Sequence, residues 1–221
     1  MRITAEIFAA YLNCPTKCFL RLHNESVGYS EFSEYQARNQ AEFEIAGLAR
    51  MCSSFPANGV SVGNPPLPEL RSCRDSLIVG YEAVALDIQS RLHALQRTEG
   101  KAGECDRYVP VRLVWREKLN ALDRLHLAFD AVAISPDLGQ VPHIGKLVHG
   151  KTNRTSTVNL DPWIKQTRRA LSVIRKYESP SAAPPLFLNS HCSECEFEKR
   201  CHQLAVEQDD IRPCQEITRT S

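Results

Sequence analysis

The apolar residues of this chain fall into short periodic runs. In the opening run, Ile7, Phe8, Tyr11 and Leu12 share one helical face behind Thr4, a residue type suited to N-capping. Pro15 follows Cys14. Proline disfavours helix before itself but fits a first helical turn, so a second helix starts there with Cys14 at its N-terminus. Residues 30–52 read as a longer helix with Glu31 and Glu34 early and Phe43, Ile45, Ala46, Leu48 and Ala49 marking its buried side. Residues 55–68, rich in Pro, Gly and Asn, read as a loop, and the apolar positions of 71–86 fit strand and helix equally well. Strands are expected at 91–97 and 108–115, separated by a polar turn at 98–106. Pro110 points to an edge strand or a bulge for the second of them. A helix over 119–134, strands at 144–148 and 155–160, and a helix opened by Asp161-Pro162 and closed by Ser179-Pro180 complete the pattern. Helices and strands in this order predict an α/β fold, a small mixed sheet flanked by helices.

Composition changes little in that picture. The chain has 221 residues, 43% of them hydrophobic and 24% charged, within the range of one large globular domain. With 27 Lys and Arg against 26 Asp and Glu, the net charge of +1 gives no global field for nucleic acid, so any basic surface is local. No apolar run approaches the roughly 18 residues of a membrane span, and the N-terminus lacks the apolar centre of a signal peptide. Nine cysteines without an export signal point to a reducing cytoplasm and thiolates available to metal, not to a disulfide framework.

Three of those cysteines, Cys192, Cys195 and Cys201, stand in a C-x2-C-x5-C arrangement with His191 and His202 at its edges. Zinc is the first expectation from residues alone, held locally by the three cysteines and closed by His191 or His202. An iron–sulfur cluster with Cys14 as the distant fourth ligand is the other. The N-terminus of a helix favours a thiolate at Cys14. Cys52, Cys73, Cys105 and Cys214 carry no such local signal and read as structural, and His143, His149 and, where it does not close a zinc site, His191 read as surface or packing residues. The last predicted helix presents Lys165, Arg168, Arg169, Arg175 and Lys176 with no acid before Glu178. This is either a solvated face or a phosphate-contacting one.

A thiol before proline near the start (Tyr11-Leu12-Asn13-Cys14-Pro15), an α/β middle and a closing C-x2-C-x5-C together resemble the RecB-like iron–sulfur nucleases. These form a branch of the PD-(D/E)XK superfamily. The likeness is nearest to the RecB-like nuclease domain at the front of some bacterial nuclease–helicase fusion proteins. The segments 108–112, 117–119, 127–131 and 145–150 carry it, and it spans roughly residues 3–211. It implies a restriction-endonuclease-like core, a mixed sheet flanked by helices, with the two ends of the chain joined at a cysteine metal site. The domain would cover 1–211, with its cysteine cluster at 190–203 and a tail at 212–221. It also implies a [4Fe–4S] cluster on Cys14, Cys192, Cys195 and Cys201, which displaces the zinc expectation and leaves Cys18 spare. A chain that stops at Ser221 fits a stand-alone relative or a truncated one whose partner is encoded separately.

The same resemblance bears on catalysis. A PD-(D/E)XK site uses an Asp from one strand and an acid-x-Lys from the next to hold Mg²⁺ or Mn²⁺ and orient a water. Here His93 falls where the Asp is expected and Pro110-Val111-Arg112 where acid-x-Lys is expected, while His126 and Asp130 take the place of a Gln-x3-Tyr. Histidine and arginine do not replace hard oxygen ligands one for one. The implied function is a DNA nuclease of exonuclease type with a degenerate or displaced site, its candidate residues His93, Glu117 and Lys118, helped by Glu42 or Glu44. The alternative is a non-catalytic iron–sulfur module that binds single-stranded DNA or DNA ends, with Lys165, Arg168, Arg169 and Arg175 as contacts, and works beside a helicase.

Overall fold

The Thr4 hydroxyl accepts the N–H of Ile7 at 3.4 Å and opens α1 (Ala5–Asn13), with β1 (Ile3–Thr4) just ahead of it. The chain turns at Cys14, whose extended backbone ends α1 and begins α2 (Pro15–Leu22). The computed structural model describes residues 2–25, 28, 30–99 and 107–207; Cys105, Cys214, the tail at 212–221 and most of the turn expected at 98–106 lie outside the described residues. Ser30 caps α3 (Glu31–Ser53) by accepting the N–H of Ser33 at 3.2 Å.

The region expected to be loop holds β2 (Val60–Val62) and ends in α4 (Leu67–Arg71), and the ambiguous run after it resolves into β3 (Leu77–Val79) and β4 (Glu82–Ala85). There follow β5 (Ile88–Arg91), β6 (Ala94–Thr98), β7 (Arg107–Val114), α5 (Ala121–Leu138), β8 (Ile144–His149), β9 (Arg154–Asn159), α6 (Asp161–Lys176) and α7 (Glu198–Glu207). The single strand expected at 91–97 is therefore broken at Leu92-His93, because β5 and β6 belong to different sheets.

The larger sheet is mixed, in the order β2-β3-β6-β7-β8-β9. β7 and β8 run parallel and are joined through α5, the usual crossover for parallel neighbours. β7 is thus a central strand, not the edge that Pro110 suggested. Its parallel ladder with β8 begins at Val111, so the N–H that proline lacks lies ahead of that ladder. A smaller sheet, β1-β5-β4, was not anticipated, since its strands have two to four residues each.

Helices cover both faces of the larger sheet. On one side α5 is buried almost all round, from Leu125 through Ile134, and packs with α1 and α6 in the main core around Phe8, Phe129, Leu127 and Leu147. A side chain on Gly145 would collide with Leu127, so glycine lets α5 close onto β8. On the other side α3 covers Leu77, Val111, Leu113 and Val148 with Phe43, Leu48 and Met51. Gly47 brings α3 against Leu113, where a Cβ would not fit. A third small core, Leu20, Phe197 and Cys201, joins α2 to the cysteine segment.

Candidate metal centre and the polar network under helix α3

The cysteine segment is irregular, and its shape comes from short-range hydrogen bonds. A single turn over Cys192–Glu194 lets the Cys195 N–H reach Cys192 O at 3.0 Å, and the Cys201 N–H reaches Phe197 O at 3.0 Å in the first turn of α7. Cys192, Cys195 and Cys201 then face Cys14 at the α1–α2 junction, and all four line one small cavity with Lys17 and His191. Thr16, Asn189 and Glu198 complete its wall with Phe187 and Phe197. Cys18 is fully buried in the main core and lines no part of the cavity. His202 does not line it either; it is exposed on α7.

Bonds from the N-terminal residues hold the segment in place. Glu196 takes Lys17 Nζ at 2.7 Å and Arg21 at 2.6 Å; Gly28 N donates to Glu196 O, and the Ser30 hydroxyl donates to Glu194 O at 2.9 Å. Arg200 pairs with Glu25 at 2.5 Å, and the Asn189 amide reaches Asn13 O at 3.4 Å. Lys17, Arg21 and Glu196 therefore form a charged group beside the thiols, and Glu198 lines the cavity itself. None of these partners was anticipated. The signal was present as Lys17 between Cys14 and Cys18 and Glu196 beside Cys195, opposite charges set next to cysteines at the two ends of the chain.

Electrostatics ties the four thiols together. Burial first, then the charges of Cys195, Cys14 and Cys192, push Cys201 up to about 11. Burial likewise raises Cys195, although the Phe197 N–H and Lys17 act in the opposite sense. A thiol raised in this way holds its proton more tightly, and a metal that binds such a thiol displaces the proton. Among the described residues, no group of three or more His, Cys, Asp or Glu converges closely enough to hold a single ion. The four thiols surround a space; they do not meet at a point. A donor set of four cysteines with backbone support, including the Asn189 N–H on Cys192 Sγ at 3.2 Å, fits a sulfur-rich cluster.

The candidate catalytic residues are distributed differently. His93 lies beneath α3, where its Nδ1 accepts the Leu113 N–H at 2.9 Å. Nε2 therefore carries the proton and points it at Glu44 Oε1, 3.3 Å away. Burial, with Arg112 and Arg91 nearby, lowers His93 to about 3, so the ring is neutral. Gln40 closes the network by donating to Glu44 Oε1 at 2.6 Å and to Leu113 O at 2.8 Å, while its own oxygen accepts the Trp115 N–H. Every donor here has an acceptor.

Arg112 is on the other face of the sheet, paired with the buried Asp130 at 2.7 Å; Asp130 also accepts the Ser90 hydroxyl at 2.6 Å. The residues laid on the Asp and acid-x-Lys positions thus do not share a face. Glu117 accepts the Lys151 N–H at 2.9 Å and sits 3.8 Å from Arg154, so it braces the turn between β8 and β9. Lys118 and Glu42 are exposed. His143 is exposed and bonds Asp161, and His149 is buried against Glu117 O and Ser156, as packing and surface roles require. His126 packs edge-on to Phe8, and its Nδ1 is buried without a partner among the described residues.

On α6, Ile164, Thr167, Ala170, Leu171 and Ile174 face the core, which leaves Lys165, Arg168, Arg169 and Lys176 in one exposed row. Arg175, two turns after Arg168, is engaged instead: it forms a two-bond pair with Asp87 at 2.7 and 2.8 Å. Among the described residues, no helix is long and apolar enough to cross a membrane. No protein-family model matches the chain, and no curated protein matches it.

Proposed function

We propose that this protein is an iron–sulfur DNA-binding or docking module on a RecB-like nuclease fold, with a degenerate hydrolytic site, and that it works beside a helicase. One observation carries the reading: Cys14, nearly 180 residues from the others, lines the same cavity as Cys192, Cys195 and Cys201. Spacing and resemblance single out the same four in the sequence. On this reading the two ends of the chain are clasped by a [4Fe–4S] cluster, whose chemistry when bound is structural cross-linking and one-electron exchange. Lys17 and Arg21 offset its negative charge, and Phe187 and Phe197 help keep water from the sulfurs.

The mixed sheet, with its β7–α5–β8 crossover and covering helices, suits the PD-(D/E)XK core that the resemblance implies. The degenerate site is supported by bonds that are present. His93, Glu44 and Gln40 satisfy one another, and Lys118 is exposed while the neighbouring Glu117 is engaged by the Lys151 N–H. DNA contact falls to the row Lys165, Arg168 and Arg169, whose spacing along α6 suits a phosphate backbone.

Two measurements on one anaerobic preparation test this. About four irons per chain with broad visible absorbance are expected; stoichiometric zinc without iron would overturn the cluster. Labelled single-stranded DNA with Mn²⁺ should be bound and not cut. Cleavage that disappears in both Glu117→Ala and Lys118→Ala would restore a displaced nuclease site.

A further inference from the structure

His191 stands at the edge of the cysteine segment, and its ring lines the four-thiol cavity. Its backbone is bonded locally: the His191 N–H reaches Asn189 Oδ1 at 2.9 Å and its carbonyl accepts from Glu194 N. The ring is not. Nδ1 lies 3.7 Å from Glu194 Oε2, beyond hydrogen-bonding distance, and Nε2 is shielded from solvent with no partner among the described residues. A buried polar nitrogen left unpaired is costly, so its partner belongs to whatever fills the cavity. Lys17 also lines the cavity but does not serve: its ammonium is held by Glu196 and lies outside hydrogen-bonding distance of Nε2.

We infer that the His191 Nε2–H donates a hydrogen bond to a sulfur of the bound cluster and thereby raises its reduction potential. The inference rests on the cluster reading above. Four thiolates complete the protein ligation of four irons, so no iron site is left for the imidazole. What the cluster does offer at its surface is sulfur carrying negative charge. Because the Nδ1–Glu194 separation is too long to fix the ring proton, an acceptor in the cavity selects the Nε2–H form. A donor to sulfur stabilises the reduced, more negative cluster over the oxidised one, which is the direction of a raised potential. His191 is a tuning residue on this account, not a ligand and not a catalytic group.

The test uses the full chain purified anaerobically as wild type, His191→Leu and His191→Gln, each assayed for iron before any other measurement. Spectroelectrochemical titration should place His191→Leu at a more negative potential than wild type. His191→Gln, which keeps an N–H at similar reach, should return towards the wild-type value. Pulsed EPR of the reduced protein labelled with ¹⁵N-histidine should show a weak nitrogen coupling that is lost in His191→Leu. Four irons with an unchanged potential in His191→Leu would overturn this inference and leave the cluster intact. A strong coupling, as from nitrogen bound to iron, would overturn it in favour of ligation. Zinc in place of iron would remove the cluster reading and this inference together.

Discussion

Lys17 Nζ lies 2.7 Å from Glu196 Oε2, and the two side chains are only 8% and 4% exposed, so an ion pair closed off from water joins the first 20 residues to the last helix-bearing segment. The charges clasp the chain ends whether or not a metal does. Removing one partner leaves the other charged, buried and uncompensated, which typically costs about 3–5 kcal/mol. Glu196→Gln should lose stability on that scale in urea denaturation. Lys17→Met combined with Glu196→Gln should lose less than the sum of the two singles. Burial opposes the charge on Glu196, but the Lys17 hydrogen bond, its own backbone N–H and the charges of Lys17 and Arg21 outweigh it and lower its pKa. A depressed carboxyl contributes stability that is present above its unfolded pKa and is lost as pH falls through the folded one. Glu196→Gln should therefore flatten the acid limb of the stability profile below about pH 4.3, the ordinary glutamate value.

The two histidines of the sheet and α5 act at higher pH. Burial comes first, followed by Arg112 and then Arg91 for His93 or Arg116 for His126, and it lowers both to about 3. Each ring is neutral in the folded chain, while in the unfolded chain it takes a proton near pH 6.5. The unfolded state then binds more protons between about pH 6.5 and 3, so stability falls with acid across that window. Between pH 7 and pH 5 the loss should reach about 2 kcal/mol per histidine. Paired denaturation curves for wild type and for His93→Gln with His126→Gln check this; an equally steep fall in the double variant would place the protons elsewhere.

DNA binding should follow the exposed row on α6 and not the helix as a whole. Lys165→Ala, Arg168→Ala and Arg169→Ala together should weaken binding to oligo-dT and reduce the slope of log K against log salt by up to about 2, at about 0.7 per lost contact on single strands. Arg175→Ala should leave that slope unchanged, because its guanidinium is held by Asp87. A triple variant with the wild-type slope would move the DNA surface off α6.

Elements with a strong local period were legible in the sequence. Thr4, Ser30 and the Asn120–Asp123 capping box start their helices through side-chain bonds that depend only on neighbouring residues. β8, β9 and α6 fall within a residue or two of their expected positions. What escaped depends on residues distant in sequence. Pro110 suggested an edge, yet β6 and β8 flank its strand. β1 and β2 are too short to have a pattern and exist because β5 and β3 pair with them. Among the candidate site residues, thiol spacing and the resemblance pointed to the four cysteines that line one cavity. His93 and Arg112 were laid on one family pattern, but His93 stands in the break between β5 and β6 beneath α3, while Arg112 on β7 turns to Asp130 of α5 on the other face, and no count along one strand relates the two.

The sharpest division among the cysteines separates Cys14 from Cys18, one helical turn apart. Cys14 lines the cavity with the C-terminal three, whereas Cys18 packs into the main core, where burial foremost raises its thiol to about 12. On the proposed cluster, Cys14→Ser should therefore lose iron, and stability with it, about as completely as Cys201→Ser, because each would remove one of four ligands from a centre shared by both chain ends. Cys18→Ala should keep the full iron content and cost only what a small buried cavity costs, about 1 kcal/mol. Iron analysis and thermal unfolding on the three variants, prepared side by side without oxygen, give the comparison. Should Cys14→Ser keep its metal and its stability, the clasp would have to close locally on Cys192, Cys195, Cys201 and His191, as the zinc alternative requires. Lys17 and Glu196 would then be what joins the two ends of the chain.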